Sequence, residues 1–118
     1  MSWTVIFHEE FAPEFEKFSD DVKDAIFVRA GLLELEGPQL MRPYADTLKG
    51  SGHANMKELR LTVNKAVWRV DFAFDPKRDA ILLVAGNKAG RDEQRFYREL
   101  IKVADARFTE HLDRLDAQ

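Results

Sequence analysis

The stretch MKELRLTVNKAVWRVDF, residues 56–72, contains two arginines whose spacing could bind an anion. Leu59, Leu61 and Val63 alternate with Glu58, Arg60 and Thr62. Further on, Trp68, Val70, Phe72 and Phe74 alternate with Val67, Arg69 and Asp71. This period-two pattern marks two strands, each with one buried face. Asn64-Lys65 makes a two-residue hairpin turn, because Asn tolerates the positive φ such a turn demands. Closing the hairpin there sets Leu61 against Trp68, Leu59 against Val70, Arg60 against Arg69 and Glu58 against Asp71. Like charges directly opposite each other are unfavourable. Two arrangements relieve them: diagonal pairs, Arg60 with Asp71 and Arg69 with Glu58, or an anion between the guanidinium groups. A turn shifted by one residue would undo the register. An exposed strand arginine adds little stability, so Arg69→Ala is expected to spare folding.

The remaining chemistry-bearing residues are sparse. Histidines stand at 8, 53 and 111 and make no familiar zinc spacing. Without cysteine there is no disulfide and no thiolate metal site, which fits the cytoplasm. No metal or other cofactor is expected. No apolar run is long enough to span a membrane, and MSWTVIFHEE lacks the features of a secretion signal.

The net charge is -3, but it is unevenly spread. Residues 1–39 hold 3 Lys+Arg and 9 Asp+Glu, residues 40–91 hold 10 and 5, and residues 92–118 hold 5 and 7. A basic middle therefore lies between acidic ends, and a phosphate responds to the local patch more than to the total.

The elements that must position these groups follow from periodicity. SWTVIFH is a strand with Trp3, Val5 and Phe7 on one face. Phe11, Phe15 and Phe18 have helical spacing, with Pro13 tolerable in a first turn. Ser19 caps a second helix carrying Val22, Ile26, Leu32, Leu33 and Leu35, which Gly37-Pro38 stops. Residues 37–56 hold two prolines and three glycines and are expected to be irregular. After the hairpin, DPKRD is a turn into AILLVAG, an apolar run suited to a central strand. From Asp92 onward Phe96, Leu100, Val103, Ala104, Phe108, Leu112 and Leu115 form one helical stripe. The order β-α-α-β-β-β-α predicts one α+β domain over residues 1–118, a small antiparallel-rich sheet packed by helices.

The ordered set LKGSGHANMKELR, WRVDFAFDPKRDAILLVAGNKAG and FYRELIKVADARFTEHL resembles the RelE/ParE superfamily of toxins, and within it the HigB-like branch. The resemblance covers nearly the whole chain. It implies a type II toxin neutralised by a helix-turn-helix antitoxin, acting as a metal-independent endonuclease on mRNA in the ribosome. The family's strand arginines fall on Arg60 and Arg69, and its lysine after the last strand on Lys88. Its basic loop residues correspond to Lys49, His53 and Lys57 as RNA-binding groups. The chain departs from the pattern at Asn87, where relatives often carry an acid, at Ala89, where others carry a second lysine, and at Gln94 and Phe96, where tryptophans often stand.

In such a reaction a 2′-hydroxyl attacks the adjacent phosphate, and the enzyme must stabilise a crowded phosphorane. The planar fork of Arg suits that task. Lys88 could move a proton or serve as a fixed charge, and His53 has a pKa suited to proton transfer. Tyr97 is expected in the core or stacked on a base, and His8 and His111 in structural or surface roles. Two other readings share the fold. One is a ParE-like toxin that poisons gyrase without cutting RNA, the other an attenuated toxin that acts mainly by binding its antitoxin.

Overall fold

The computed structural model describes residues 2–118. Strand β1, Thr4–Phe7, leads into helix α1, Phe11–Glu16, and helix α2, Asp20–Glu36. A 3-10 turn, Gly37–Gln39, and a short strand β2, Ala45–Thr47, come next. Strands β3, Lys57–Val63, β4, Ala66–Phe74, and β5, Asp79–Asn87, complete the sheet, and helix α3, Glu93–Asp116, ends the chain. The sheet order is β1-β5-β4-β3-β2.

The hairpin forms in the expected register. Asn64 and Lys65 both have positive φ, 50° and 69°, as a primed two-residue turn requires. Leu61 pairs with Trp68, Leu59 with Val70, Arg60 with Arg69 and Glu58 with Asp71. AILLVAG runs between β1 and β4, inside the sheet.

The sheet is antiparallel-rich, as expected, with β1 joining β5 in parallel and all other pairs antiparallel. One feature differs from the expectation: the segment expected to be irregular contributes β2, paired with β3 through Ala45 and Leu59. Three residues are too few to show a period, so pairing with β3 alone holds them extended.

The two faces of the sheet carry separate cores. Leu59, Leu61, Val63, Val70 and Phe72 pack with Phe11, Phe15, Ile26 and Leu33 of α1 and α2. On the other face Ala73, Ile81, Leu83 and Val84 pack under Phe96, Leu100, Ala104 and Phe108 of α3. A bulge at Asp71/Phe72 shifts the pairing with β5, so that Asp71 faces Val84 and Phe72 faces Leu82. Leu83, the extra residue, has its carbonyl met by Arg107 Nη1 at 2.8 Å. Arg107 also grips Glu14 at 2.6 and 2.8 Å, tying α3 to α1 across the end of the sheet.

Caps set the helix boundaries. Ser19 Oγ accepts from the Val22 amide at 3.3 Å and Asp92 Oδ1 from the Arg95 amide at 3.0 Å, satisfying donors that open each helix. Gly37 ends α2 with φ 58°, and a Cβ there would lie 2.2 Å from the Trp3 indole nitrogen. Leu35, expected on the apolar face of α2, is instead 72% exposed.

Candidate active site

Alternation puts Glu58, Arg60, Arg69 and Asp71 on the sheet face that α3 partly covers. Here the opposed arginines part company. Arg69 turns to Glu58 and forms an ion pair with both side chains nearly out of solvent, 14% and 7% exposed. Its guanidinium also lies over the Tyr97 ring, 4.3 Å from the centroid, a cation–π contact strengthened by burial. Burial works against the charge on Arg69. The hydrogen bond and attraction to Glu58 outweigh it and hold the pKa above its ordinary value. The diagonal pair Arg69–Glu58 therefore exists. Its partner does not: Asp71 is buried with neither carboxylate oxygen hydrogen-bonded. Desolvation, reinforced by Glu58, pushes the Asp71 pKa well above the usual carboxylate range.

This arrangement corrects the expectation that Arg69 is an exposed strand residue. It sits between two buried carboxyl groups and an aromatic ring. Its removal therefore bears on folding as well as on any reaction.

Tyr97 is both core and site. It packs against the α3-side core, while its hydroxyl is buried without a hydrogen-bond partner. Burial raises its pKa, and nearby Arg69 opposes that rise. Lys88, just past the end of β5, reaches Glu93 in the first turn of α3 at 3.3 Å. The hydrogen bond from Lys88 holds the Glu93 carboxyl below its usual pKa. Gly86 makes this junction possible. It stands opposite Arg69, and a Cβ there would come within 3.1 Å of the Phe96 ring that rests on it.

The other expected residues are distributed differently. Lys49 lines a groove of about 700 Å³ with Tyr97, Arg98, Ile101, Lys102 and Asp105, which shares Tyr97 with the Arg69 site. Asp105 pins the loop that forms the groove wall, accepting from Ser51 Oγ and, at 2.7 Å, from the Gly52 amide. His53 lies further along α3, 2.9 Å from Thr109 Oγ1 and edge-on to Phe108. Lys57 projects from the opposite face: its Nζ is 3.3 Å from the Pro38 carbonyl and lies over the Phe74 ring. Its odd number, shared with Leu59 and Leu61, already carried that information. Arg60 lines a separate cleft with Arg29, Arg42 and Tyr44.

Sequence reasoning missed Arg98 and Lys102, which add two cations to the groove beside Lys49. Their i, i+4 spacing on the polar side of α3 was the available signal. It also missed Glu93, whose only mark in the sequence is its place in a helix first turn. His8 is buried and His111 pairs with buried Asp75 at 2.8 Å, both structural roles.

A five-stranded sheet with a basic face at the end of β5, closed by a C-terminal helix, is a RelE-type fold. A variant of the Escherichia coli toxin RelE in the free state matches with a TM-score of 0.59 at 15% identity, over 86% of this chain and 97% of that one. A chain of the Mycobacterium tuberculosis toxin–antitoxin complex RelBE2 matches at 0.58 and 17%, over 74% and 99%. At such identities the likeness is one of fold. Residues 13–109 match the model of the phage-derived Gp49-like proteins, and the chain belongs to that family. The putative toxin HigB2 of Mycobacterium tuberculosis is 52% identical over 90 residues, 75% of this chain and 44% of that relative. The chain spans about half the length of the curated relatives it matches. These findings bear out the resemblance to the HigB-like branch of the RelE/ParE superfamily.

Proposed function

We propose that the chain is the toxin of a type II toxin–antitoxin pair and cleaves mRNA on the ribosome without a metal. The observation that carries this reading is the meeting of Arg69, Lys88, Tyr97 and Glu93 at one end of the sheet. The basic groove of Lys49, Arg98 and Lys102 leads away from it. The HigB-like relatives support the toxin role, and the RelBE2 complex supports an antitoxin partner. The cytoplasm is the compartment in which ribosomes and such a partner meet.

The reaction asks three things of this constellation. As the 2′-oxygen–phosphorus bond forms, the phosphorus–5′-oxygen bond breaks, leaving a cyclic phosphate and a 5′-hydroxyl. Arg69 supplies a preorganised donor for the phosphorane oxygens, held by Glu58 and Tyr97 so that no reorientation is needed. The proton of the 2′-hydroxyl goes to the Glu93 carboxylate, the one acid of the cluster that is open to solvent, and Lys88 gives a proton to the departing 5′-oxygen. Tyr97, its hydroxyl buried, braces the Arg69 guanidinium with its ring so that the fork stays aimed at the phosphate. Lys49 and His53 sit along the path of the strand as it leaves over α3. Lys57 faces away and has no part in this site. Arg60 faces the neighbouring cleft and meets the strand beyond the scissile bond.

The test is 5′-end mapping of cellular mRNA after induced expression, comparing the native chain with Lys88→Ala. Lys88 is half-exposed and its loss leaves no buried charge. New cuts within translated frames that fall by about a hundredfold in the variant support the reading. Growth arrest without cuts sinks it and favours the gyrase-directed alternative.

A further inference from the structure

The chain holds a second cluster of arginines outside the site just described. β2 pairs with β3 as far as Leu59 and the Arg60 amide donates to the Tyr44 carbonyl at 2.8 Å, leaving the β3 edge open beyond Arg60. A cleft of about 570 Å³ occupies that edge, lined by Arg29 of α2, Arg42, Tyr44, Arg60 and Thr62. One carboxylate is near: Asp46 accepts from Arg42 Nε at 2.8 Å and Nη2 at 2.7 Å. That bond, with weaker help from Arg60, lowers the pKa of Asp46. Arg60 and Arg29 have no carboxylate within ion-pair distance among the described residues. Arg29 lies over the Tyr44 ring at 4.8 Å, and its buried Nε has no hydrogen-bond partner. Three guanidinium groups around one cavity, balanced by a single carboxylate, repel one another unless an anion joins them.

We infer that this cleft binds a backbone phosphate of RNA, one or more nucleotides away from the bond at Arg69 and Lys88, with Arg29 and Arg42 as its anchoring residues. The inference rests on the reading of the chain as an RNA-cleaving toxin. Three features favour RNA over an acidic protein segment. Guanidinium forks match phosphate oxygens two at a time. Arg60 pairs directly with Arg69 across β3 and β4, so the cleft adjoins the reacting site. A strand bound at Arg69 also carries a charge at every nucleotide and must continue past it. Arg29, Arg42 and Arg60 would then fix the strand's direction over the sheet, and Arg69 with Lys88 would act on it.

The test uses a fluorescein-labelled 2′-O-methyl oligoribonucleotide, which keeps its phosphates and cannot be cut, titrated with the full chain across a range of salt. Arg29→Gln/Arg42→Gln is expected to weaken binding about tenfold and to flatten the plot of log affinity against log salt by about 0.7, the value for one lost phosphate contact on a single strand. Arg29→Lys/Arg42→Lys is expected to keep the slope and lose part of the affinity. Thr62→Glu puts an anion on an exposed rim position, and it decides the matter if the double Gln variant unfolds at lower urea. Unchanged affinity and slope in the folded double variant, or in Thr62→Glu, overturn the inference. So does a loss confined to a polyglutamate peptide probe, which would assign the cleft to an acidic protein. Mapping mRNA ends with the native chain separates the two claims. Cuts with an unchanged slope refute the cleft alone. A reduced slope without cuts refutes the nuclease and leaves the cleft as an RNA-binding site.

Discussion

Replacing Arg69 by alanine is expected to destabilise the chain, and the size of the effect follows from what the side chain touches. Arg69 and Glu58 are 14% and 7% exposed, and Asp71 beside them is 1% exposed. Removing one partner of a buried ion pair costs about 3–5 kcal/mol, because the other charge stays desolvated. A chain of this length has total stability of roughly 6–18 kcal/mol at about 0.05–0.15 kcal/mol per residue, so the loss takes a large share. Loss of the Tyr97 cation–π contact adds about 1 kcal/mol. Urea unfolding followed by tryptophan fluorescence measures this directly. Arg69→Ala should lower the unfolding free energy by about 3 kcal/mol or more. Glu58→Gln added to it should recover part of the loss, giving a coupling of about 2 kcal/mol between the positions. An Arg69→Ala variant within about 0.5 kcal/mol of the native chain would refute the reasoning. For the same reason a non-toxic Arg69→Ala variant says little about chemistry. Arg69→Lys, which keeps the charge beside Glu58, is the better probe of the fork's role in cleavage.

Asp71→Asn should stabilise the chain at neutral pH. With its native pKa raised, Asp71 keeps a proton that the unfolded chain has already lost. Stability is therefore highest below the unfolded value of about 4 and falls as pH rises through the native pKa. The amide removes that fall, and urea midpoints across pH should show a gain of about 1–3 kcal/mol on the alkaline side. Gly86→Ala should cost about 1–3 kcal/mol, because the Phe96 ring must retreat from a Cβ that comes within 3.1 Å; thermal melting checks it. Asp105→Ala frees the Ser51 and Gly52 anchors, so amide exchange in residues 49–53 should speed up about tenfold while the sheet stays protected.

What the sequence disclosed depended on how local the determining physics is. The hairpin was fully legible, because a two-residue turn at Asn64-Lys65 fixes every pair between β3 and β4. The cap at Ser19 and the stop at Gly37 are equally local. The parallel pairing of β1 with β5 joins residues 75 positions apart, Thr4 with Asp79, and no local pattern encodes it. β2 is extended only because β3 is beside it. At the site, parity alone assigns Lys57 to the far face and Arg60 and Arg69 to the near one. The ring of Tyr97 over Arg69, the carboxylate of Glu93 beside Lys88 and the clustering of Arg29 with Arg60 all depend on where helices land on the sheet.

The opposed arginines show how far a register alone can be taken. It establishes that two like charges meet, and it leaves open how each is relieved. Both diagonals were available, yet only Arg69 takes its carboxylate, Glu58. Asp71 cannot serve Arg60 in the same way, because it is buried beside the bulge in β5, where its charged form is unfavourable. Arg69 is thereby fixed in a nearly balanced group and becomes a rigid donor. Arg60 keeps its full charge and lies among other arginines at the open sheet edge. The same strand pair thus yields one guanidinium suited to a transition state, where preorganisation counts, and one suited to holding a flexible polyanion, where uncompensated charge counts.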